Sequence, residues 1–233
     1  MKETIVIARR FSGPPDSANG GYGCGVIGAR MGGAEVTLRR PPPLERPMEL
    51  ERDDGEAWLL ADGALVAEAR RAAPSVEAPA PSSFDEATRA AERFPWRENH
   101  QLPTCFVCGP ARAYGDGLRI HPGAVDGRAL AASPFVPDAS LADDDGLVRE
   151  EIVWSALDCP SWFGFQCFER GVGLALLGRM TAQVTARPRE GERCVVVGWS
   201  LGRDGRKVRG ASALYGEDGA PLAVAEATWI ILR

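Results

Sequence analysis

The chain has 233 residues, of which 45% are hydrophobic and 25% charged, an ordinary composition for a globular protein of one or two domains. Its formal net charge of −5 argues against a nucleic-acid partner, which needs a basic face. No apolar run approaches the ~18 residues of a membrane span, and the one after Met1-Lys2-Glu3 meets two arginines after five residues, too short for a signal peptide. A cytoplasmic protein with no membrane partner and six reduced cysteines is therefore expected.

In chain order, residues 5–8 read as a short strand. The stretch FSGPPDSANGGYGCGVIGARM, residues 11–31, then opens with turn residues and continues with small and apolar ones. It has no two-residue alternation and is long for a strand, so a helix beginning at Asn19 is expected. Five glycines cost such a helix about 1 kcal/mol each relative to alanine, so it needs tight packing around it, with a sheet as the natural wrapping. The other readings of Asn19-Gly20 are a hairpin turn, which needs alternating flanks that are absent, and an irregular loop.

Residues 35–39 alternate as a half-exposed strand, and Pro41, Pro42 and Pro43 mark it as an edge or a bend. Residues 56–60 and 64–69 flank Asp62-Gly63 as a hairpin. The first unit, residues 1–73, thus reads as strand, helix and about three antiparallel strands. Residues 74–103 read as a linker, proline-rich at first, with a short exposed helix at 84–93 that Ser83 and Glu86 cap.

The second unit spans residues 104–233. It opens with Cys105 and Cys108, the only close cysteine pair. A single CxxC without a second pair admits zinc, with His100 and His121 as the nearest further ligands, or a redox pair, or a tight loop with structural thiols. The last is the expectation, so no metal and no cofactor is expected. Strands follow at 118–120 and 128–136, then a helix with apolar residues at 148, 152, 153, 156 and 157. Pro160 should end or kink it. Residues 173–186, 193–201, 207–215 and 221–232 read as four antiparallel strands.

The two units match each other. DGALVAEA at 62–69 parallels DGAPLAVAEA at 218–227, and EVTLRRP at 35–41 parallels QVTARP at 183–188, which points to a tandem repeat.

A glycine-rich helix followed by a sheet resembles the hotdog fold, and two copies resemble a double hotdog: an α+β fold in which two antiparallel sheets each wrap a helix and join into one continuous sheet. Several stretches resemble hotdog acyl-CoA thioesterases. Arg187-Pro188-Arg189-Glu190-Gly191-Glu192 is similar to a turn those enzymes carry after the helix. Asn19-Gly20-Gly21 stands where the phenylacetate-type branch has His-Gly-Gly, and Ala156-Leu157-Asp158 is similar to the leucine-alanine-aspartate further along its helix. FSGPPDSANGGYG and TCFVCGP together resemble an actinobacterial-type thioesterase-like family. The departures are complementary. Gly28, not an acid, stands nine residues after Asn19, and Arg149 stands nine residues before Asp158.

The resemblance implies an acyl-CoA or similar thioester hydrolase with one site between the units. Asn19, Gly20 and Gly21 would supply the helix-start donors and Asp158 the carboxylate. Tyr22, Trp154, Ser161, Trp162 and Arg187 are the expected substrate contacts, and the aromatic group suits a medium-chain or aromatic acyl group. Arg39, Arg40, Arg179 and Arg187 are candidates for the phosphates of coenzyme A. Asp158 has a second reading as the cap of a new helical turn before Pro160. Ser161 and Cys159 have no histidine in their segment, so a triad mechanism is poorly supported. The rival function is an acyl-CoA-binding module without turnover, since asparagine at position 19 cannot take up a proton. A homodimer of double hotdogs is compatible with either.

Overall fold

The computed structural model describes residues 1–169 and 172–232. The strands are β1 (Lys2–Val6), β2 (Ala34–Leu38), β3 (Pro47–Asp53), β4 (Glu56–Ala61), β5 (Ala64–Arg71), β6 (Gly123–Ala124), β7 (Ala131–Phe135), β8 (Ala175–Val184), β9 (Cys194–Asp204), β10 (Lys207–Tyr215) and β11 (Pro221–Ile231). The helices are α1 (Gly20–Gly28), α2 (Phe84–Ala91) and α3 (Glu150–Gln166). All the strands form one sheet, in the order β1-β3-β4-β5-β2-β8-β11-β10-β9-β7-β6.

The order is a mirror about the β2·β8 seam. Reading outward, β2-β5-β4-β3-β1 lies on one side and β8-β11-β10-β9-β7 on the other, with β6 added at the far edge. Each half also runs in the chain as strand, 3-10 turn, helix and four strands. This is the double hotdog. Of the two readings of the prolines after it, an edge or a bend, β2 excludes the edge. It pairs with β5 on one side and with β8 on the other, Ala34 opposite Ala182 and Thr37 opposite Arg179. The prolines follow the strand and cost it no ladder bond. β3 lies where no strand was expected, although its Met48 and Leu50 are buried in alternation.

The Asp62-Gly63 hairpin forms with both turn residues at positive φ, 49° and 74°, as a tight two-residue turn requires. Residues 118–120 are not a strand. Their loop instead pairs with the cysteine loop, through Leu118 N to Phe106 O (2.8 Å) and Ile120 N to Val107 O (2.9 Å). The Ser83 capping box forms, but α2 is not simply exposed. Ala87 and Ala90 pack with Val125, Leu130, Ala132, Val195, Val197, Ala213 and Tyr215. Their strand neighbours Ala131, Cys194, Val196 and Leu214 point into the main core, so this part of the sheet is covered on both faces. The linker is strapped down as well: Glu226 accepts from Ser75 Oγ (2.7 Å) and Val76 N (3.0 Å).

The glycines of α1 serve a helix contact more than the wrapping sheet. A Cβ on Gly25 would lie 2.7 Å from Trp154 Cβ and 2.8 Å from Glu151 Cα, and one on Gly28 would lie 2.2 Å from the Trp154 ring. The helix therefore sacrifices propensity so that α3 can close on it. α3 in turn runs through Pro160 without ending. Hydroxyls serve the carbonyls beside the proline: Ser212 Oγ donates to Leu157 O and Ser161 Oγ to Asp158 O, both at 2.6 Å. Sheet glycines give it room, since a Cβ on Gly198 would lie 1.8 Å from Pro160 O.

Gly28→Ala tests the closeness of the helices. The exchange gains about 1 kcal/mol of helix propensity but drives a methyl into the fully buried Trp154 ring, and overpacking costs about 1–3 kcal/mol. A net loss of stability is expected in urea unfolding. A net gain would mean that Trp154 yields and the contact is loose.

Candidate functional site

The two helices meet at Asp158. It lies inside α3, is 1% exposed, and points to the start of α1. Its Oδ2 accepts from Asn19 Nδ2 at 2.6 Å and from Gly21 N at 3.1 Å. The cap reading is thus corrected in an unexpected way: Asp158 caps the other helix and not a new turn of its own. Gly21 has to be glycine here, because a Cβ would lie 2.5 Å from Asp158 Cβ.

Asn19 has two tasks. Its Oδ1 accepts from Tyr22 N at 2.9 Å as the N-cap of α1, while its Nδ2 holds Asp158. The first helical amides are then largely spoken for, Gly21 by Asp158, Tyr22 by the cap side chain and Gly23 by Asn19 O. The Gly20 N–H has no acceptor among the described residues. Only one of the two amides expected to serve a substrate, that of Gly20, is available.

Asp158, Asn19 and Gly20 line a cavity with Gly13, Trp96, His100, Cys105, Cys108, Cys159, Trp162, Phe163, Trp229 and the start of β8. Its volume is about 50 Å³, room for a few water molecules at roughly 10–15 Å³ each. Asp158 Oδ1 faces burial without a partner. Burial pushes the Asp158 carboxyl up to about 7, against the pull of the Gly21 amide and the Asn19 side chain.

In the sequence His100 stands out only as a candidate metal ligand, and nothing in its spacing links it to the helices. The fold brings it to the cavity through the segment that leads to Cys105. Its Nδ1 accepts from Leu102 N at 2.9 Å, which leaves the proton on Nε2. Burial lowers its pKa, so the ring is a neutral donor. Nε2 and the Trp162 indole Nε1 are both buried without partners.

Of the expected substrate contacts, Trp162 lines the cavity and the others do not. Tyr22 stacks on Phe11 with ring centroids 4.0 Å apart, away from the opening. Trp154 is fully buried over α1. Ser161 Oγ accepts from Trp229 Nε1 at 2.9 Å. Arg187 pairs with Asp143 at 2.7 Å. Arg39 is paired with Glu68 and Arg179 is bonded to Thr37 Oγ1 (3.0 Å), and both line a separate groove with Arg203, Lys207 and Arg209. The position related to the site by the repeat is closed. Arg149 caps α3 without a side-chain bond, and the Trp154 ring covers Gly28 where an acid would stand.

No protein-family model matches the chain, and no curated protein sequence does. Solved structures do match in fold. A tesB protein of Mycobacterium avium subsp. paratuberculosis is 11% identical with a TM-score of 0.63, covering 100% of this chain and 93% of its own. The acyl-CoA thioesterase II TesB2 of Mycobacterium marinum is 12% identical with a TM-score of 0.61, over 99% and 93%. A hot dog fold protein of Alicyclobacillus acidocaldarius is 12% identical with a TM-score of 0.61, over 100% and 93%. These likenesses are of the fold over the whole chain. Among the described residues no helix is long and apolar enough to cross a membrane.

Asn19→Ala should cost more than a cap alone. Loss of an N-cap is worth about 1 kcal/mol, and loss of a donor to a buried carboxylate adds about 1–3 kcal/mol. Urea unfolding should show a loss near the sum. A loss confined to the cap would mean that Asp158 finds another donor.

Proposed function

We propose that the protein hydrolyses an acyl thioester, such as an acyl-CoA with a small acyl group, at a single site between α1 and α3. The observation that carries this reading is the set of orphaned buried atoms around one cavity: the acceptor Asp158 Oδ1 and the donors His100 Nε2 and Trp162 Nε1. Buried polar groups are nearly always paired, so a cavity ringed by these suits a polar ligand together with water. A thioester carbonyl and an attacking water have that pattern.

Water held by Asp158 Oδ1 gives its proton to the carboxylate as its oxygen bonds to the carbonyl carbon. A carboxyl near neutrality suits this exchange. Charge moves to the carbonyl oxygen, where the Gly20 amide at the positive end of α1 is the available backbone donor. The carbonyl then re-forms, the carbon–sulfur bond breaks, and the thiolate recovers the proton from Asp158. The products are a carboxylic acid and a thiol, and the carboxylate is regenerated. The small volume supports a short acyl group over the medium-chain or aromatic one that the aromatic wall suggested.

Binding without turnover remains the second reading, because Asp158 Oδ2 already has a structural task as the cap of α1. Steady-state hydrolysis of an acyl-CoA series from acetyl upward separates the two. Turnover is expected, strongest for short chains. Asp158→Asn should reduce kcat/KM by about 10²–10⁴-fold while acyl-CoA binding by calorimetry changes little. Wild-type binding with no hydrolysis of any member would leave the binding module as the reading.

A further inference from the structure

Half of the cysteines meet at one point. Cys105 and Cys108 come from the loop before Gly109 and Cys159 from the interior of α3. Their sulfurs all lie within 4.8 Å of one another, and all three residues are buried. Cys105 Sγ and Cys159 Sγ are 3.9 Å apart. Ligands held tetrahedrally at a zinc–sulfur distance of about 2.3 Å stand about 3.8 Å from each other. A disulfide would need about 2.05 Å.

The loop has the form that turns two sulfurs toward one ion. Gly109 N donates to Cys105 O at 2.9 Å. A Cβ on Gly109 would lie 2.5 Å from Cys105 N, Cys105 O and Pro103 O, so a turn this tight admits only glycine after the second cysteine. No lysine or arginine lines this cavity, so the charge of three buried sulfur ligands would be met by the ion itself.

We propose that Cys105, Cys108 and Cys159 bind a thiophilic divalent ion of the zinc class, with its fourth position opening on the cavity. His100 is not the fourth ligand, because its Nδ1 is engaged by Leu102 N and its Nε2 carries the proton. A water at that position meets the cavity into which the unpartnered Asp158 Oδ1 projects, and Asp158 is 1% exposed. Asn19 Nδ2, 3.9 Å from Cys105 Sγ, is the outer donor to a ligand sulfur. The ion would fasten the cysteine loop to α3 beside the Asn19–Asp158 bond. In the sequence the CxxC stands alone; the third sulfur is 54 residues away and only the fold supplies it. The inference does not depend on hydrolysis.

The test is metal content of the whole protein, expressed with added zinc and purified reduced without chelator. Mass spectrometry of the metals should find one zinc per chain. The cobalt-substituted protein should show sulfur-to-cobalt charge transfer and tetrahedral visible bands. Cys108→Ser and Cys159→Ser should bring zinc to the buffer background, whereas Cys167→Ser, which alters a cysteine outside the cluster, should retain it. If the serine variants fold poorly, the wild type decides alone, because a mercurial titration should release zinc in step with its thiols. Wild type with no zinc and no cobalt spectrum at saturating metal overturns the proposal, as does a Cys105–Cys108 disulfide in the purified protein. These readouts involve no turnover, so a failed metal site and a failed hydrolase are distinguishable.

Discussion

The bond between Asp158 and the start of α1 is the constraint on which the rest depends. It joins the interior of one helix to the first turn of another, across the two halves of the chain. A buried carboxylate is costly unless it is paired with good donors. Here the donors are an amide of α1 and a side chain that also caps α1. Fold and chemistry are therefore tied: whatever holds the acid in place also finishes the helix. The glycines of α1 follow from this, since the helices must come close enough for a carboxylate on one to reach the first amides of the other.

Much of the fold was legible because its signals are local. The glycine-rich helix, the Asp62-Gly63 hairpin, the Ser83 cap and the four long strands of the second half all announce themselves within a few residues. What was misread depends on tertiary surroundings. Pro160 is expected to end or kink a helix, yet α3 does not end there, because glycines in β9 and β10 make room for it against the sheet. The prolines after β2 admit an edge or a bend, and only the position of β2 at the centre of the sheet excludes the edge. Helix α2 looked solvated because its buried face is only two alanines wide.

The site divides in the same way. Asp158, Asn19 and Gly20 could be named together because Asn-Gly-Gly in the first half and the aspartate in the second each resemble one part of a motif, and the structure places them around one cavity. The lining of the cavity was not legible, since aromatic residues on α3 look alike in sequence whichever way they point. Trp162 lines the cavity, whereas the Trp154 ring packs against Gly28 of α1. His100 and the meeting of Cys159 with the CxxC loop are products of the topology, with no spacing to betray them.

The β2·β8 seam lies within one chain, which changes how the molecule responds to dilution. Two separate hotdog subunits would come apart at low concentration and take any shared site with them. A tether makes that association unimolecular, with an effective concentration set by the intervening chain. The meeting of Asp158 with Asn19 is then as secure in a scarce protein as in an abundant one, and thermal unfolding of a single chain should not shift with concentration. Each residue also occurs once per molecule, so a feature of one half, such as the Trp154 ring against Gly28, is not copied into the other.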